Sequence, residues 1–424
     1  MSGLVLGVDI GTSGVRAVAM DADYVTHAQG AASLANFGSD HRNPRIWWAA
    51  TEAALGQCLG GIDRVSVRAI AVDGTSGTVL PVDANGSTLA DPLMYNDRVD
   101  NPDLLARIAP HIPPTSAAHG ASSGLAKMLH FQHLPEVKHL LHQADWIAGR
   151  LSGRFGHSDS NNALKSGFDP VAGQWPDWMA ATGLRPELLP EVFEPGTPLA
   201  PVQSEMAARF GLRFDTLVVA GTTDGCASFI ATGADRPGDA VTVLGSTLTL
   251  KLLCDRPIFA PKLGVYSHRI LGQWLAGGAS NTGGKVLAQF FDRDALVRLS
   301  DDIDPETSSG LDYYPLLVPG ERFPVSDPQL PPRLAPRPAS DAAFLKGMFE
   351  GIAAIEARGY AQMTELGAPK LRSVRSTGGG AANPVWTRMR QKMLGVDFPP
   401  AASVEAAAGS ARLALIGART AGLM

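Results

Sequence analysis

Charge is scarce in this sequence. Only 18% of its 424 residues are Asp, Glu, Lys or Arg, against about 25% in a typical soluble domain, which argues against a disordered chain, a coiled coil or a solvated tail. Clustered positive charge is missing as well. The 36 Lys and Arg stand against 41 Asp and Glu, the net charge is −5, and no block of like charges occurs. The basic patch that nucleic-acid binding needs is therefore not there. Three cysteines, Cys58, Cys226 and Cys254, are too few and too scattered for a disulfide framework or a thiolate metal site. No unbroken apolar run approaches the ~18–20 residues of a membrane span. The start, MSGLVLGVDIG, lacks a basic leader and meets Asp9 early, so it does not read as a signal peptide. These absences predict a protein of a reducing compartment, the cytoplasm, with no membrane or nucleic-acid partner. Oligomeric state, monomer or homodimer, stays open.

Glycine, by contrast, is abundant, with 46 residues, and 45% of the chain is hydrophobic. The length suggests two or three domains at ~100–200 residues each. The pattern along the chain is an α/β alternation. Leu4–Asp9 and Val15–Met20 read as strands joined by Gly11-Thr12-Ser13-Gly14, a hairpin with a glycine turn. Trp47–Leu59 has helical spacing, and Val65–Asp73 reads as a strand ending in Gly74-Thr75-Ser76-Gly77. Leu125–Leu141 reads as a helix broken at Pro135. Thr216–Ala220 is a strand running into Gly221-Thr222-Thr223-Asp224-Gly225 before a helix of small residues. After a turn at Arg236–Asp239, a candidate hinge, Ala240–Leu244 and Leu248–Leu253 flank Gly245-Ser246-Thr247. This second hairpin repeats the design of the first, VDIGTSGVRAV against TVLGSTLTLKL, and suggests two similarly built domains.

The turns carry the chemistry. Backbone N–H groups in a Gly-Ser/Thr hairpin converge on one point and approach phosphate oxygens closely, because glycine lacks Cβ. Asp9, at the strand end before the first turn, is placed to hold Mg²⁺ directly or through water, and Arg16 to contact phosphate. For one such hairpin alone an ordinary tight turn with a capping Asp is the plainer reading, but two of the same design, only one bearing an Asp, look more like a divided phosphate clamp. Near the C-terminus, the strand Leu371–Thr377 leads into Gly378-Gly379-Gly380, then Asn383 as N-cap and Pro384 as first helical residue. That arrangement offers N–H groups and a helix N-terminus to an anion or nucleotide. Trp386 either flanks an adenine or belongs to the core. Asp224, between a buried strand and small residues, suits a general base taking a proton from a hydroxyl that attacks a phosphoryl group. A helix N-cap is the equal alternative for it.

Other features point nowhere definite. His130, His133, His139 and His142 form two H-x-x-H pairs, one helix face each if helical, but no Cys or carboxylate pattern accompanies them for zinc. The Ser-containing turns GTSGV, GTSGT and GSTLT do not read as a nucleophile elbow, and G-x-x-x-x-G-K-[ST] is absent, which excludes a P-loop.

Taken in order, VDIGTSGVRAV, Leu93-Met94-Tyr95-Asn96, Leu125-Ala126-Lys127, Gln143-Ala144-Asp145-Trp146, AGTTDG around Asp224, LGSTLTLK and STGGGAANPVW resemble the FGGY carbohydrate kinases of the actin-like ATPase superfamily over essentially the whole chain. DGTSGTVL, DSNNALK, SGLDYYPL and GERFP carry a closer similarity to the short D-ribulokinase and xylulose kinase-like group, while Asn96-Asp97-Arg98 resembles the xylulokinase type.

The resemblance implies an α/β protein of two ribonuclease-H-like domains, mixed sheets flanked by helices, with a cleft between them that closes to exclude water. Residues 1–231 plus 405–424 would bind sugar and residues 232–404 would bind ATP. By motif, Asp224 matches the catalytic base and Asp9 the metal-associated carboxylate. Thr12 and Ser13 fall in the first phosphate loop, and Gly245, Ser246 and Thr247 in the second. Gly379, Gly380, Asn383 and Trp386 match the adenosine pocket. Ser76 matches a ketose contact, with Asn96, Asp159 and Asn162 as further sugar-side candidates. The implied activity is ATP- and Mg²⁺-dependent phosphorylation of the terminal hydroxyl of a ketopentose, D-ribulose first. D-xylulose or another sugar or polyol is the alternative. From a different class, the chain would be an actin-like nucleotide sensor or assembly protein.

Overall fold

The computed structural model describes residues 3–424, which divide into two compact units. One runs to Gly233 and takes in His268–Gly272 and Ser403–Met424; the other comprises Ala234–Ser267 and Gln273–Ala402.

The first unit is built on the strands Leu4–Ile10 (β1), Gly14–Met20 (β2), Thr26–Ser33 (β3), Val67–Gly74 (β4), Pro198–Pro201 (β5) and Leu217–Thr223 (β6), in the order β3-β2-β1-β4-β6-β5. β1 pairs antiparallel with β2 and parallel with β4, and β4 runs parallel to β6. Every residue of β1 is buried, which explains its nearly unbroken apolar run, LVLGVDI. Leu6, Val8 and Ile10 face a core filled by Trp47, Ala50, Ala54, Leu55 and Cys58 of the helix Pro44–Gly60. Asn43 caps that helix, accepting from Arg45 N, and Pro44 takes its first position. The opposite face of β1 meets the C-terminal helix Ala406–Thr420. The approach is so close that a Cβ on Gly7 would lie 1.9 Å from Ala407 O. A satellite core under the 79–189 region gathers Val79, Leu125, Met128, Leu129, Phe131 and Leu140.

The second unit repeats the plan. Asp239–Leu244 (β7), Leu248–Cys254 (β8), Tyr266–Ile270 (β9, of which Tyr266 and Ser267 belong to this unit), Gln273–Ala279 (β10) and Ser373–Thr377 (β11) are ordered β9-β10-β8-β7-β11. β7 is antiparallel to β8 and parallel to β11, as β1 is to β2 and β4. Two similarly built units are what the paired hairpins predict, and mixed sheets flanked by helices are what the resemblance implies. The 25-residue helix Asp341–Glu365 packs on β8 through Gly359, where a Cβ would sit 2.4 Å from Leu250 Cδ1. At its heart Arg390 and Glu356, both fully buried, form a two-pronged ion pair of 2.6 and 2.7 Å. Thr242 Oγ1 donates to Glu356, and Arg390 donates to Ser376 Oγ, so the pair ties two helices to both parallel strands.

One expected element is different. The helix beginning at Gly124 ends at Phe131, and His139–His142 is a strand paired with Val79–Val82. The apolar pair Leu140-Leu141 fits either period, and the partner strand decides. His142 N-caps the helix Gln143–Ser152 and is sealed among Asp145 (Oδ2 to Nδ1, 2.7 Å), Ser158 and Ser166 (Oγ to Nε2, 2.9 Å). This Ser–His–Asp order leaves no room for a substrate, because a Cβ on Gly124 would lie 2.1 Å from Ser166 Oγ. Among the described residues, no helix is long and apolar enough to cross a membrane.

Candidate functional site

In the first unit, parallel pairing brings three carboxylates to the C-terminal ends of neighbouring interior strands. Asp9 of β1 is in register with Asp73 of β4, and Thr222, two residues before Asp224, is in register with Asp73 from the other side. A Cβ on Gly221 would fall 1.7 Å from Val72 O, so only glycine lets β6 bulge against β4 here. Asp73 is fully buried, accepts from Ser410 Oγ at 2.6 Å and shares a hydrogen bond with the Asp9 carboxyl. Its Oδ1 receives no donor from the protein. Burial first, and then the neighbouring Asp9 charge, push Asp73 well above the usual carboxylate range. Asp9 is raised too, by burial and by Asp224, while the hydrogen bond from Asp73 and the charge of Arg16 pull it back. Arg16 Nη1 stands 3.7 Å from Asp9 Oδ2 and Arg16 Nε 3.2 Å from Glu405 Oε2.

Asp224 is the first residue of the helix Asp224–Ala231, not its N-cap, which is Thr223. Its Oδ1 accepts the N–H of Gly225 at 2.6 Å, and the half-buried side chain lies within electrostatic reach of Asp9 and Asp73. Next to Asp9 the β1–β2 turn closes through Gly11 N to Gly14 O at 3.0 Å, leaving Thr12 and Ser13 exposed at the tip.

The sugar-side candidates fall into two groups. Ser76 occupies the second position of the turn Thr75–Thr78, and its Oγ is buried without a partner. Asn96 is exposed in the Met94–Asp97 turn. Asp159 and Asn162 are buried. Asp159 Oδ1 caps Asn161 N and Asn162 N, and its Oδ2 accepts from Asn162 Nδ2 at 2.6 Å. They form a helix cap, and only Asn162 Oδ1 is left without a partner.

In the second unit the β7–β8 turn Gly245–Thr247 rests on a glycine pair. Gly284 N donates to Gly245 O and Lys285 N to Ser246 O, and a Cβ on Gly283 would come within 2.7 Å of Thr247. Ser246 remains exposed. Glu321, buried, accepts from Ser280 Oγ, Asn281 N and Tyr314 OH, and so fixes the 280–284 loop under that turn. After β11, Gly378 has φ +82° and packs on Leu244 O, whereas a Cβ on Gly379 would meet nothing. Asn383 caps the helix Pro384–Leu394 with Oδ1 and gives Nδ2 to Ser300 Oγ. Trp386 is buried, stacked on Phe349 at 4.7 Å, so it is core. It supports Gly380, whose Cβ would lie 2.7 Å from the indole.

Asp73, Lys127, Gln143, Ser410 and Glu321 have no place among the sequence candidates for the site. Of these, Asp73, Lys127, Gln143 and Glu321 lie in or beside the quoted motifs DGTSGTVL, Leu125–Lys127, Gln143–Trp146 and GERFP. Each works through partners distant in sequence, so only the fold reveals its role.

Residues 240–418 match the FGGY family of carbohydrate kinases, C-terminal domain. That match takes in less than half of the chain. The similarity extends beyond it. The xylulose kinase of Escherichia coli K12 is 25% identical over 97% of this chain and 90% of its own length. The autoinducer-2 kinase of Yersinia enterocolitica is 28% identical over 60% of this chain, a match that spans about half of that relative, 52%. A solved structure described as a xyloylose kinase from Brucella ovis superposes with a TM-score of 0.85 at 22% identity, covering 98% of this chain and 91% of its own. That likeness is one of fold, and it takes in both units.

Proposed function

We propose that the protein is a kinase that transfers the γ-phosphoryl group of ATP to the terminal hydroxyl of a ketopentose, D-ribulose first. The observation that carries this reading is Asp224, a half-buried carboxylate at a helix N-terminus beside the Asp9–Asp73 pair. In this reading the first unit, residues 1–231 plus 405–424, binds sugar and the second, 232–404, binds ATP.

Asp224 accepts the proton of the attacking hydroxyl as its oxygen bonds to phosphorus and the bond to the ADP oxygen breaks. Thr12 and Ser13, with Gly11, offer hydroxyls and N–H groups to the phosphates from one turn, and Gly245, Ser246 and Thr247 from the other. Arg16 adds a charge-assisted contact. Gly379 and Gly380 take the adenosine, since Gly379 has open space before it. Asp9 fits Mg²⁺. It belongs to a buried carboxyl pair, burial and the Asp224 charge raise it, a cation would relieve that repulsion, and Mg²⁺ is commonly held by one or two carboxylates plus water and substrate phosphates. When bound there, the ion would neutralise charge on the phosphates.

D-xylulose is the second reading, favoured by the relative from E. coli that spans nearly the whole chain. Release of ADP against a panel of pentuloses and polyols tests the proposal. Turnover highest on D-ribulose supports it and turnover highest on D-xylulose selects the second reading. Silence on every sugar, with ATP still bound, points to a nucleotide sensor.

A further inference from the structure

The Thr75–Thr78 turn is held at almost every polar atom. Gly77 has φ +85°, the conformation that the third position of a type II turn requires, and Thr78 N donates to Thr75 O. Gln143 Oε1 accepts both from Thr75 N at 3.0 Å and from Thr75 Oγ1 at 2.7 Å. Thr75 Oγ1 in turn pairs with Thr78 Oγ1 at 2.6 Å. With the Thr75 hydroxyl proton directed to Gln143, Thr78 must be the donor, and the chain of protons has one order.

Lys127 closes the other side. Its Nζ, fully buried, donates to Gly77 O and to Met94 O, each at 2.7 Å. Met94 O also accepts from Asp97 N, and Met94 N donates to Asp97 Oδ2, so Met94–Asp97 is itself a closed turn. One ammonium thus joins the turn bearing Ser76 to the turn bearing Asn96. Burial of a cation among carbonyls is costly, and it lowers this lysine to about 8. The hydroxyl of Ser76 alone, of those in the turn, has no partner.

We propose that Gln143 and Lys127 are positioning residues for the sugar, holding the Thr75–Thr78 turn so that Ser76 Oγ is left for a ketose hydroxyl. This rests on the kinase reading and names further residues of its sugar side.

A double-mutant cycle in the full-length protein tests it. Gln143→Met removes the acceptor and is expected to raise the ketose KM about tenfold with the ATP KM unchanged. In a Ser76→Ala background the same substitution is expected to change the ketose KM by less than about twofold, because the two act through one contact. Gln143→Glu, which keeps an acceptor oxygen, restores most of the loss. If Gln143→Met does not melt cooperatively, Lys127→Met enters the same cycle. Independent effects that multiply in the double variant, or equal rises in both KM values, overturn the assignment. A wild-type protein inactive on every sugar instead refutes the kinase reading, and the inference falls with it.

Discussion

Asp73 and Asp9 lie directly in register on two parallel strands, and burial with the neighbouring Asp9 charge pushes the Asp73 carboxyl well above the usual carboxylate range. The pair explains how a fully buried acid is tolerated beside a second one. It also predicts which substitutions are harmless. Asp73→Asn offers an amide donor to Asp9 and an oxygen to Ser410, so melting temperature and activity should stay close to the parent. Asp73→Leu strips Ser410 Oγ of its acceptor and leaves Asp9 with Arg16 alone, and should lose about 1–3 kcal/mol. Equal damage from the two, read by thermal melts and initial rates, would show Asp73 to be ionised instead.

Asp159 gives a pH prediction. Burial, and then the nearby Asp145 charge, raise it to about 7. Between the ordinary value near ~4 and about 7 the folded state holds a proton that the unfolded chain has released. Its contribution to stability is therefore complete at the acid end and is lost as pH rises through that window. In Asp159→Asn this component of the slope of melting temperature against pH should vanish. The variant should fold, because Asn162 can turn its amide and give its unpartnered Oδ1 to the new donor.

The Arg390–Glu356 pair anchors the second unit. Arg390→Met alone strands a buried carboxylate and should cost about 3–5 kcal/mol, seen as a lowered denaturant midpoint. The double variant Arg390→Met/Glu356→Leu should recover much of that loss.

Gly409 lies where the C-terminal helix crosses Asp224–Ala231, and a Cβ there would meet Ala227 O at 1.9 Å. Gly409→Ala should destabilise by about 1–3 kcal/mol or more, since backbone must move. The shift carries the helix bearing Asp224, so the rate should fall along with the melting temperature.

Much of this was legible before any coordinates. The hairpins around Gly11–Gly14 and Gly245–Thr247 are local, written in glycine between β-branched runs, and the cap at Asn383–Pro384 is equally local. What the sequence hides is whatever depends on register. Asp73 gains its chemistry only from standing opposite Asp9, and Lys127 only from reaching residues fifty positions away. Trp386, which either role would suit, is settled by Phe349 stacking on it. The helix Asp341–Glu365 shows no clean stripe, because fourteen of its residues are buried around its circumference, with glycines at the closest contacts.

Asp224 is the centre of the account, and one comparison tests it most directly: ADP formed from ATP, Mg²⁺ and D-ribulose by the parent protein and by Asp224→Asn, with ATP binding measured on both. The account predicts a fall in kcat of roughly 10²–10⁴-fold with ATP affinity retained. An Asp224→Asn protein that phosphorylates the sugar at the parent rate would contradict it.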